Sequence, residues 1–385
     1  MLRSAVPAAA TTPRRGWLLV ALTFCHTVND FYALLLAPLL PVLREAFQLT
    51  YAQAGAIPFV STFVSAVLQP LLGYLADRRR QRRRLLITGF LLLAGGMGLL
   101  AHSGSYAGLL LGALVLGLGL STYHPQSATF LAHYFTTQRG WAQGIHGIGN
   151  GLGFILAPVV VAGLVERLGW RPALWLLAGP ALLAVGVIVF ALREPEVQGA
   201  RGLLAGLTWP LAGLTVINGL ALAVGTGFQT WLPAFYRSIG QSLLAAGALT
   251  AVMSVATLVA QPLGGTLSDR FGRRAVVVGA LLGMGGCLLL FALAPALWLL
   301  LLASVLFGFW GSLMPPVSMV YASELAAGQR TGMAVGVVWG LGTAMAAVAP
   351  PVMGLLVDLW GFRGAFLALA GLAVLGGLAA RWLPR

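Results

Sequence analysis

The stretch QPLLGYLADR at residues 69–78 recurs 192 residues later as QPLGGTLSDR at residues 261–270. A single register that holds along the chain indicates an internal duplication. We therefore predict two equivalent halves, residues 1–192 and 207–385, joined by a cytoplasmic linker at 193–206, where the letters EPE interrupt the apolar pattern. The same shift, without a gap, pairs Pro41 with Pro233, Gly140 with Gly332, Gly144 with Gly336, Pro158 with Pro350, Glu166 with Asp358, Gly169 with Gly361, and Arg171 with Arg363.

The composition around these repeats is that of a membrane protein. Of the 385 residues, 59% are hydrophobic and 8% are charged, whereas soluble domains carry about 25% charged residues. All 23 basic residues are arginine, and the net charge is +14. Because the chain is so apolar, it has no soluble basic surface that could bind a phosphate backbone. We therefore expect no nucleic-acid partner. Cys25 and Cys287 lie in apolar runs and form neither a disulfide framework nor a metal motif.

Twelve apolar segments are long enough to cross a bilayer, for which a helix needs about 20 residues. Their richness in Leu, Ala and Gly, without alternation, excludes the strands of an outer-membrane barrel. The sequence therefore predicts an all-α membrane protein of twelve transmembrane helices in two parallel six-helix pseudo-repeats. The segments are 17–42, 51–75, 85–103, 106–130, 140–165, 170–192, 207–235, 242–267, 275–294, 296–321, 332–357 and 362–383.

The arginines predict the orientation of these spans. With both termini in the cytoplasm, 18 of the 23 arginines fall on the cytoplasmic side, as the positive-inside rule requires. We expect a multi-pass protein of a prokaryotic inner membrane, in contact with membrane lipids and monomeric. The first apolar stretch continues past an aspartate and is interpreted as a span rather than a cleaved leader.

The two loop motifs, Gly73-Tyr-Leu-Ala-Asp77-Arg78 and Gly265-Thr-Leu-Ser-Asp269-Arg270, together with the 6+6 plan, resemble the major facilitator superfamily over essentially the whole chain. This resemblance implies a secondary transporter that works by alternating access. Duplicated halves of this kind place the substrate site between them, near the bilayer midplane.

Four shorter stretches resemble the fosmidomycin-resistance-type efflux proteins of that superfamily. They are His26-Thr-Val-Asn29-Asp30, Gln69-Pro70 running into Gly73-Tyr74, His124-Pro125-Gln126-Ser127, and Ala142-Gln143 continuing to Gly149-Asn150-Gly151. The resemblance implies export of a small organic molecule or drug, and antibiotic resistance in the host. In this chain Gln126 stands where the family usually has glutamate, which removes one titratable carboxylate.

Four ionisable residues are candidates for proton coupling: Asp30, His26, His124 and His146. A carboxylate inside a bilayer costs about 2.5–3.5 kcal/mol and needs a partner or a function. Asp30 lies about 13 residues into the first span, near the membrane centre at 1.5 Å per residue, and His26 lies four positions earlier on the same helix face. The alternative is a neutral, hydrogen-bonded group of side chains that only locks the first span to a neighbour.

Polar and tryptophan side chains in the spans are candidates for substrate binding. Gln143, His146 and Asn150 recur at helical spacing and predict one polar stripe, and Asn218 is the repeat counterpart of His26. Interhelical hydrogen bonding is the alternative for the polar residues, and lipid-interface anchoring is the alternative for the tryptophans. The full set is Asn29, Gln126, Gln143, Asn150, Asn218, Gln229, Trp231, Trp310 and Trp339.

The loop motifs are candidates for gating, because carboxylates and arginines at helix ends can bias one end of the molecule toward a closed state. The alternative is that the arginines only set topology and contact anionic lipid. The predicted gating residues are Gly73, Asp77, Arg78, Gly265, Asp269, Arg270 and Arg273.

Together these features predict proton-coupled antiport of a small organic molecule, driven by a proton gradient and without a cofactor. A proton-linked symporter that imports a metabolite or organic anion is the alternative, since the gradient decides the direction. A membrane sensor or embedded enzyme is the alternative from another class. It has no support from a soluble output domain or from a paired-carboxylate, nucleophile or metal motif.

Overall fold

The computed structural model describes residues 13–136, 139–194, 208–326 and 331–384, so most of the predicted linker lies outside the described residues. Within these ranges the chain is almost entirely α-helical. The helices are α1 Pro13–Leu34, α2 Leu36–Phe47, α3 Tyr51–Arg79, α4 Arg82–His102, α5 Tyr106–Leu120, α6 Tyr123–Tyr134, α7 Arg139–Leu168, α8 Trp170–Leu176, α9 Gly179–Ala191, α10 Trp209–Ser238, α11 Leu243–Val255, α12 Thr257–Phe271, α13 Arg273–Leu293, α14 Leu297–Leu325, α15 Thr331–Ala347 and α16 Ala349–Ala379, followed by a short 3₁₀ turn, Ala380–Trp382.

These helices make twelve membrane crossings. In the described residues eleven continuous helical runs are long and apolar enough to span a bilayer, and the last of them, 334–382, has 49 residues. At 1.5 Å per residue that run is more than twice the ~30 Å thickness of a hydrocarbon core. It reverses direction inside α16 at Gly361, where φ is 70°, and so provides two crossings. The prediction of a twelve-helix, all-α membrane protein is confirmed.

Backbone turns with positive φ repeat with the same period as the sequence. Among the described residues, φ is positive at six positions only, and these form three pairs separated by 192 residues: Gln48 with Gly240, Arg80 with Gly272, and Gly169 with Gly361. Each pair lies where one span gives way to the next. The two halves therefore keep the same turn geometry, even where one member of a pair is not glycine.

Two ends of the bundle are distinguished below. The arginine end is where α3 gives way to α4 and α12 gives way to α13, with the arginine-rich turns at 78–84 and 270–274. The opposite end is where α2 gives way to α3 and α7 gives way to α8. We refer to α1–α9 as the N-terminal half and to α10–α16 as the C-terminal half.

Candidate functional site

Backbone contact between α1 and α7 brings the polar residues of the N-terminal half together. Gly149 and Gly153 of α7 lie so close to α1 that a Cβ at either position would come within 2.5 Å and 2.7 Å of an α1 carbonyl oxygen. Only glycine permits such an approach, as in other closely packed membrane helices. As a result His146 and Asn150, which share the same stretch of α7, face the polar residues of α1.

Asp30 lies at the centre of this contact and is 3% exposed. Its carboxylate accepts hydrogen bonds from the Asn29 amide at 2.8 Å and from the Asn150 amide at 2.5 Å. His26 Nε2 lies 3.2 Å from one carboxylate oxygen, and His124 Nε2 lies 3.6 Å from the other. Three helices therefore converge on one buried carboxylate, which offsets the cost of burying it.

A chain of rings continues from Asp30 toward α6. His26 Nδ1 lies 2.8 Å from the His146 carbonyl oxygen, and the two imidazoles stack with centroids 4.1 Å apart. The Tyr123 hydroxyl donates to the Leu22 carbonyl oxygen at 2.5 Å and lies 3.0 Å from His146 Nε2. Because the hydroxyl hydrogen points to the carbonyl, His146 Nε2 is the donor to the tyrosine oxygen. Tyr123 is a member of the site that the sequence analysis missed.

A helix break positions the α6 residues. The fourth span divides at 121–122, and α6 starts at Tyr123 with Pro125 in its first turn, where a missing N–H does little harm. The break directs Tyr123 and His124 toward α1. We call the following seven residues the polar cluster: His26, Asn29, Asp30, Tyr123, His124, His146 and Asn150.

The predicted glutamines lie outside the polar cluster. Gln126 is 1% exposed and its amide donates to the Leu72 carbonyl oxygen of α3 at 3.4 Å. Gln143 is exposed and Gln229 is half-buried. The predicted stripe of α7 is thus divided, with His146 and Asn150 in the cluster and Gln143 outside it.

Asn218 reproduces the position of His26 in the C-terminal half. It is 1% exposed, and its amide donates to the Val338 carbonyl oxygen at 3.3 Å. His26 makes the equivalent contact with the carbonyl of His146. Asn218 lies 192 residues after His26, and Val338 lies 192 residues after His146. The contact is therefore duplicated, but in the C-terminal half it is made by the amide of Asn218, which is not ionisable.

The three predicted tryptophans have different surroundings. Trp231 is fully buried and donates through Nε1 to the Pro350 carbonyl oxygen at 2.9 Å, an arrangement typical of a structural residue. Trp310 covers Gly283, where a Cβ would lie 2.4 Å from the indole ring. The buried Nε1 of Trp339 has no hydrogen-bond partner among the described residues.

At the arginine end, the second loop motif forms an ionic network. Arg273 contacts Asp269 and also pairs with Glu324 of α14 at 3.0 Å, while its guanidinium donates to Ser268 at 2.7 Å. These groups all belong to the C-terminal half. The network therefore ties α12, α13 and α14 together without crossing to the N-terminal half.

The remaining predicted gating residues make fewer contacts. A Cβ at Gly73 would lie 3.3 Å from the proline of α6, while one at Gly265 would meet nothing within 4 Å. Arg78 and Arg270 are exposed. The side chain of Asp77 lies outside the described residues.

Two carboxylates at the opposite end connect the halves, and sequence analysis recorded them only as a repeat pair. Glu166 of α7 accepts a hydrogen bond from the Leu244 N–H of α11 at 2.6 Å. Asp358 of α16 accepts from the Tyr51 and Ala52 N–H groups of α3 at 3.0 and 2.9 Å. Each carboxylate thus caps the N-terminus of a helix in the other half, where a negative charge is favoured. We call Glu166 and Asp358 the capping pair.

Glycines beside the capping pair bring the halves into backbone contact. A Cβ at Gly55 would lie 2.4 Å from the Pro350 carbonyl oxygen, and one at Gly247 would lie 2.2 Å from that of Pro158. These two contacts are again related by the 192-residue shift. The halves are therefore closely packed at the opposite end.

Two cavities lie at the ends of the bundle. One of about 390 Å³ lies at the opposite end and is lined by Glu45, Glu166 and Arg237 among others. The second, about 330 Å³, lies at the arginine end and is lined by arginines of 79–84 and Glu194. Neither is lined by a residue of the polar cluster, so the cluster and not a cavity is the better guide to function.

Comparisons with known proteins identify the class. The sequence profile of the Major Facilitator Superfamily matches residues 22–209 and 211–385, and the chain belongs to that family. It is 29% identical to an uncharacterized MFS-type transporter of Bacillus subtilis, over 94% of this chain and 91% of that protein. It is 28% identical to the fosmidomycin resistance protein of Escherichia coli, over 91% and 89%.

Solved structures agree on the fold. A bacterial homologue of the human lysosomal transporter Spinster superposes with a TM-score of 0.82 at 16% identity, covering 97% of this chain and 98% of that one. The predicted resemblance to the superfamily and to the fosmidomycin resistance protein is therefore confirmed. The protein is a multi-pass membrane protein of a transporter family, with the small-molecule substrate that such a family implies.

Proposed function

We propose that the protein is a secondary active transporter that exports a small organic molecule in exchange for protons by alternating access. The observation that carries this proposal is Asp30, a buried carboxylate between the imidazoles of His26 and His124 at 3.2 and 3.6 Å. A carboxylate and two imidazoles in contact can take up and release a proton. Among the residues that the structure describes, Asp30 is the only buried carboxylate.

Of His26, Asp30 and His124, the last has the most accessible side chain. The His124 side chain is 45% exposed, whereas the Asp30 side chain is 4% exposed. In the proposed cycle an incoming proton meets His124 first and Asp30 next. His146 and Tyr123 continue the hydrogen-bonded chain into the protein, where they hold the His26 ring in place rather than contact solvent.

Alternating access is supported by the two different ends of the bundle. At the opposite end the halves are in backbone contact and joined by the capping pair. At the arginine end the ionic network of Arg273 stays within one half. We assign the arginine end to the cytoplasm, with both termini inside, so that the cluster opens inward in this conformation.

Substrate would contact the cluster from the same side. We propose that the Asn29 and Asn150 amides of the polar cluster face the substrate on the N-terminal half. On the C-terminal half the proposed contacts are partly exposed: Gln229, Trp310 and Trp339. Trp231 and Asn218 instead hold backbone carbonyls and are proposed as packing residues of the cavity wall. The name of the fosmidomycin resistance relative favours export of a drug-like molecule.

Flux measurements in proteoliposomes test this function. With fosmidomycin as the first probe substrate, an inward-directed proton gradient should drive export and its reversal should drive import. We expect Asp30→Asn to abolish gradient-driven flux, while His102→Gln leaves it unchanged, because His102 is exposed and outside the cluster. Full gradient-driven flux in Asp30→Asn would refute the proton site. Substrate movement along the proton gradient would establish the alternative, a symporter.

A further inference from the structure

The polar cluster contains a second arrangement beyond a proton site. His26 Nε2, Asp30 and His124 Nε2 present three ligand-type atoms that all lie within 4.8 Å of one another. Their closest separations are 3.2 and 3.6 Å. Ligands around a tetrahedral zinc ion, each about 2.0–2.1 Å from the metal, are about 3.3 Å apart. The two separations end on different oxygens of the Asp30 carboxylate, and each is close to the spacing of ligands around one ion.

Hydrogen bonds around the triad orient these atoms as metal ligands require. His26 Nδ1 lies 2.8 Å from the His146 carbonyl oxygen and carries a hydrogen, so the Nε2 lone pair faces Asp30 whenever the ring is neutral. Lone pairs on a nitrogen and a carboxylate oxygen 3.2 Å apart need a positive charge between them. A ligating histidine almost always donates its other N–H to a carbonyl or carboxylate in this way.

The carboxylate is supported in the same manner. Asn29 and Asn150 donate to its two oxygens at 2.8 and 2.5 Å, so its orientation is fixed from both sides. Asn29 Oδ1 and His146 Nδ1 are buried without a hydrogen-bond partner among the described residues. Unused polar capacity next to the triad is consistent with a site that accepts a further group.

From this geometry we propose that His26, Asp30 and His124 form a binding site for a divalent transition-metal ion of the zinc, cobalt and nickel class. Two imidazole nitrogens and one carboxylate oxygen suit these ions rather than calcium or magnesium, which prefer oxygen ligands. The His124 side chain is 45% exposed, so the ion reaches the site from the side of His124. Three protein ligands leave a fourth position for water or for a donor atom of a bound molecule.

Cobalt titration of the purified, full-length transporter tests this site. The titration uses protein without a polyhistidine tag. Co²⁺ alone is added at one pH, and the visible absorption of low-coordinate cobalt is recorded. We expect one Co²⁺ per chain, displaced by Zn²⁺ and not by Mg²⁺. His124→Gln should weaken binding at least about tenfold, as loss of a ligand does at least as much as loss of its support.

His102→Gln is the matched control, because this exposed histidine lies away from the cluster and should bind Co²⁺ as the wild type does. His124→Gln is the first variant because its partly exposed side chain should be replaceable without unfolding, which a thermal melt checks. Asp30→Asn then provides a second removal of a ligand. Equal affinity in the His124 and His102 variants, or no Co²⁺ bound by folded wild-type protein, would overturn the proposal.

This inference and the proposed function fail separately. Co²⁺ binding without proton-driven flux would preserve the metal site and refute the exchange mechanism. Proton-driven flux in a protein that binds no Co²⁺ would preserve the exchange mechanism and refute the metal site.

Discussion

Neutralising the capping pair should open the end of the bundle that is closed in this structure. Glu166 and Asp358 together accept three backbone N–H groups from helices of the other half. The Glu166→Gln/Asp358→Asn variant keeps the size of both side chains and removes their charge. In Asp358→Asn one of the two accepting oxygens becomes an NH2 group that cannot accept, but the N–H that it releases is exposed to water. The change therefore acts mainly on the contact between each charge and a helix N-terminus, and not on packing.

The size of the effect follows from the exposure of both groups. A carboxylate at an exposed helix N-terminus contributes about 0.3–1 kcal/mol. The two contacts involve separate helices, so their effects should add to about 0.6–2 kcal/mol. The ratio of the open to the closed opposite end should then rise by about 3- to 30-fold. The effect should shrink at high salt, because exposed charges are screened.

Distances between spin labels would measure this ratio. Labels at Ala46→Cys and Ser238→Cys lie on exposed positions of the two halves at the opposite end. The native Cys25 and Cys287 are buried and should not react. We expect the double variant to populate a longer distance. Glu45→Gln is the control, because the Glu45 carboxylate makes no hydrogen bond among the described residues. A double variant with the distance distribution of this control would refute the role of the capping pair.

Other variants test packing, backbone geometry and surface charge. Gly247→Ala should lower the melting temperature, because its Cβ would lie 2.2 Å from a carbonyl oxygen, at a cost of about 1–3 kcal/mol. Gly286→Ala is the control and should leave the melting temperature unchanged, because its Cβ would meet nothing within 4 Å. Equal melting temperatures of the two variants would contradict this reasoning. Arg80→Gly should raise the melting temperature slightly, by relieving a φ of 51° that costs a non-glycine residue about 1 kcal/mol; a lower melting temperature would contradict the strain. Arg273→Gln removes two ion pairs, with Asp269 and Glu324, whose carboxylates are exposed. Each such pair is worth about 0–1 kcal/mol, so the flux should change by no more than about 30-fold; complete loss of flux would show that the network gates transport.

Hydropathy and the repeat predicted most of the fold. Twelve crossings follow from the lengths of the apolar runs, and the 192-residue shift relates the positive-φ turns that the structure shows in the two halves. The division of the fourth span at 121–122 could not be predicted, because Pro125 indicates only that some irregularity is present. Some spans were predicted too short, such as 51–75 for Tyr51–Arg79 and 106–130 for a run that ends at Tyr134, since apolar residues mark the part in the bilayer and not the whole helix.

The cluster itself was only partly predictable. His26 and Asp30 follow from the spacing on one helix, but the contact of Tyr123 with His146 depends on how α1, α6 and α7 meet. Gln143 shares the periodicity of Asn150 but lies two turns nearer the arginine end, where the facing part of α1 is itself exposed. Periodicity specifies the face of a helix and not how far along it a partner extends.

The capping pair shows a related limit. The 192-residue shift makes Glu166 and Asp358 equivalent, but the sequence does not indicate which helix each carboxylate caps. That information depends on how the two halves face each other across the molecule, and a repeat within one chain does not contain it.

The ionisable part of the polar cluster belongs to the N-terminal half alone. The residues that lie 192 positions after His26, Asp30, His124 and His146 cannot be charged; they are Asn218, Leu222, Pro316 and Val338. In the proposed exchange cycle, any charge gained or lost there moves with one half. A unit charge that crosses the whole membrane potential changes energy by about 2.3 kcal/mol per 100 mV. In such a cycle, membrane voltage would act on the proton charge carried by one half of a nearly symmetric molecule, so that two repeats with one fold would differ in their electrical role.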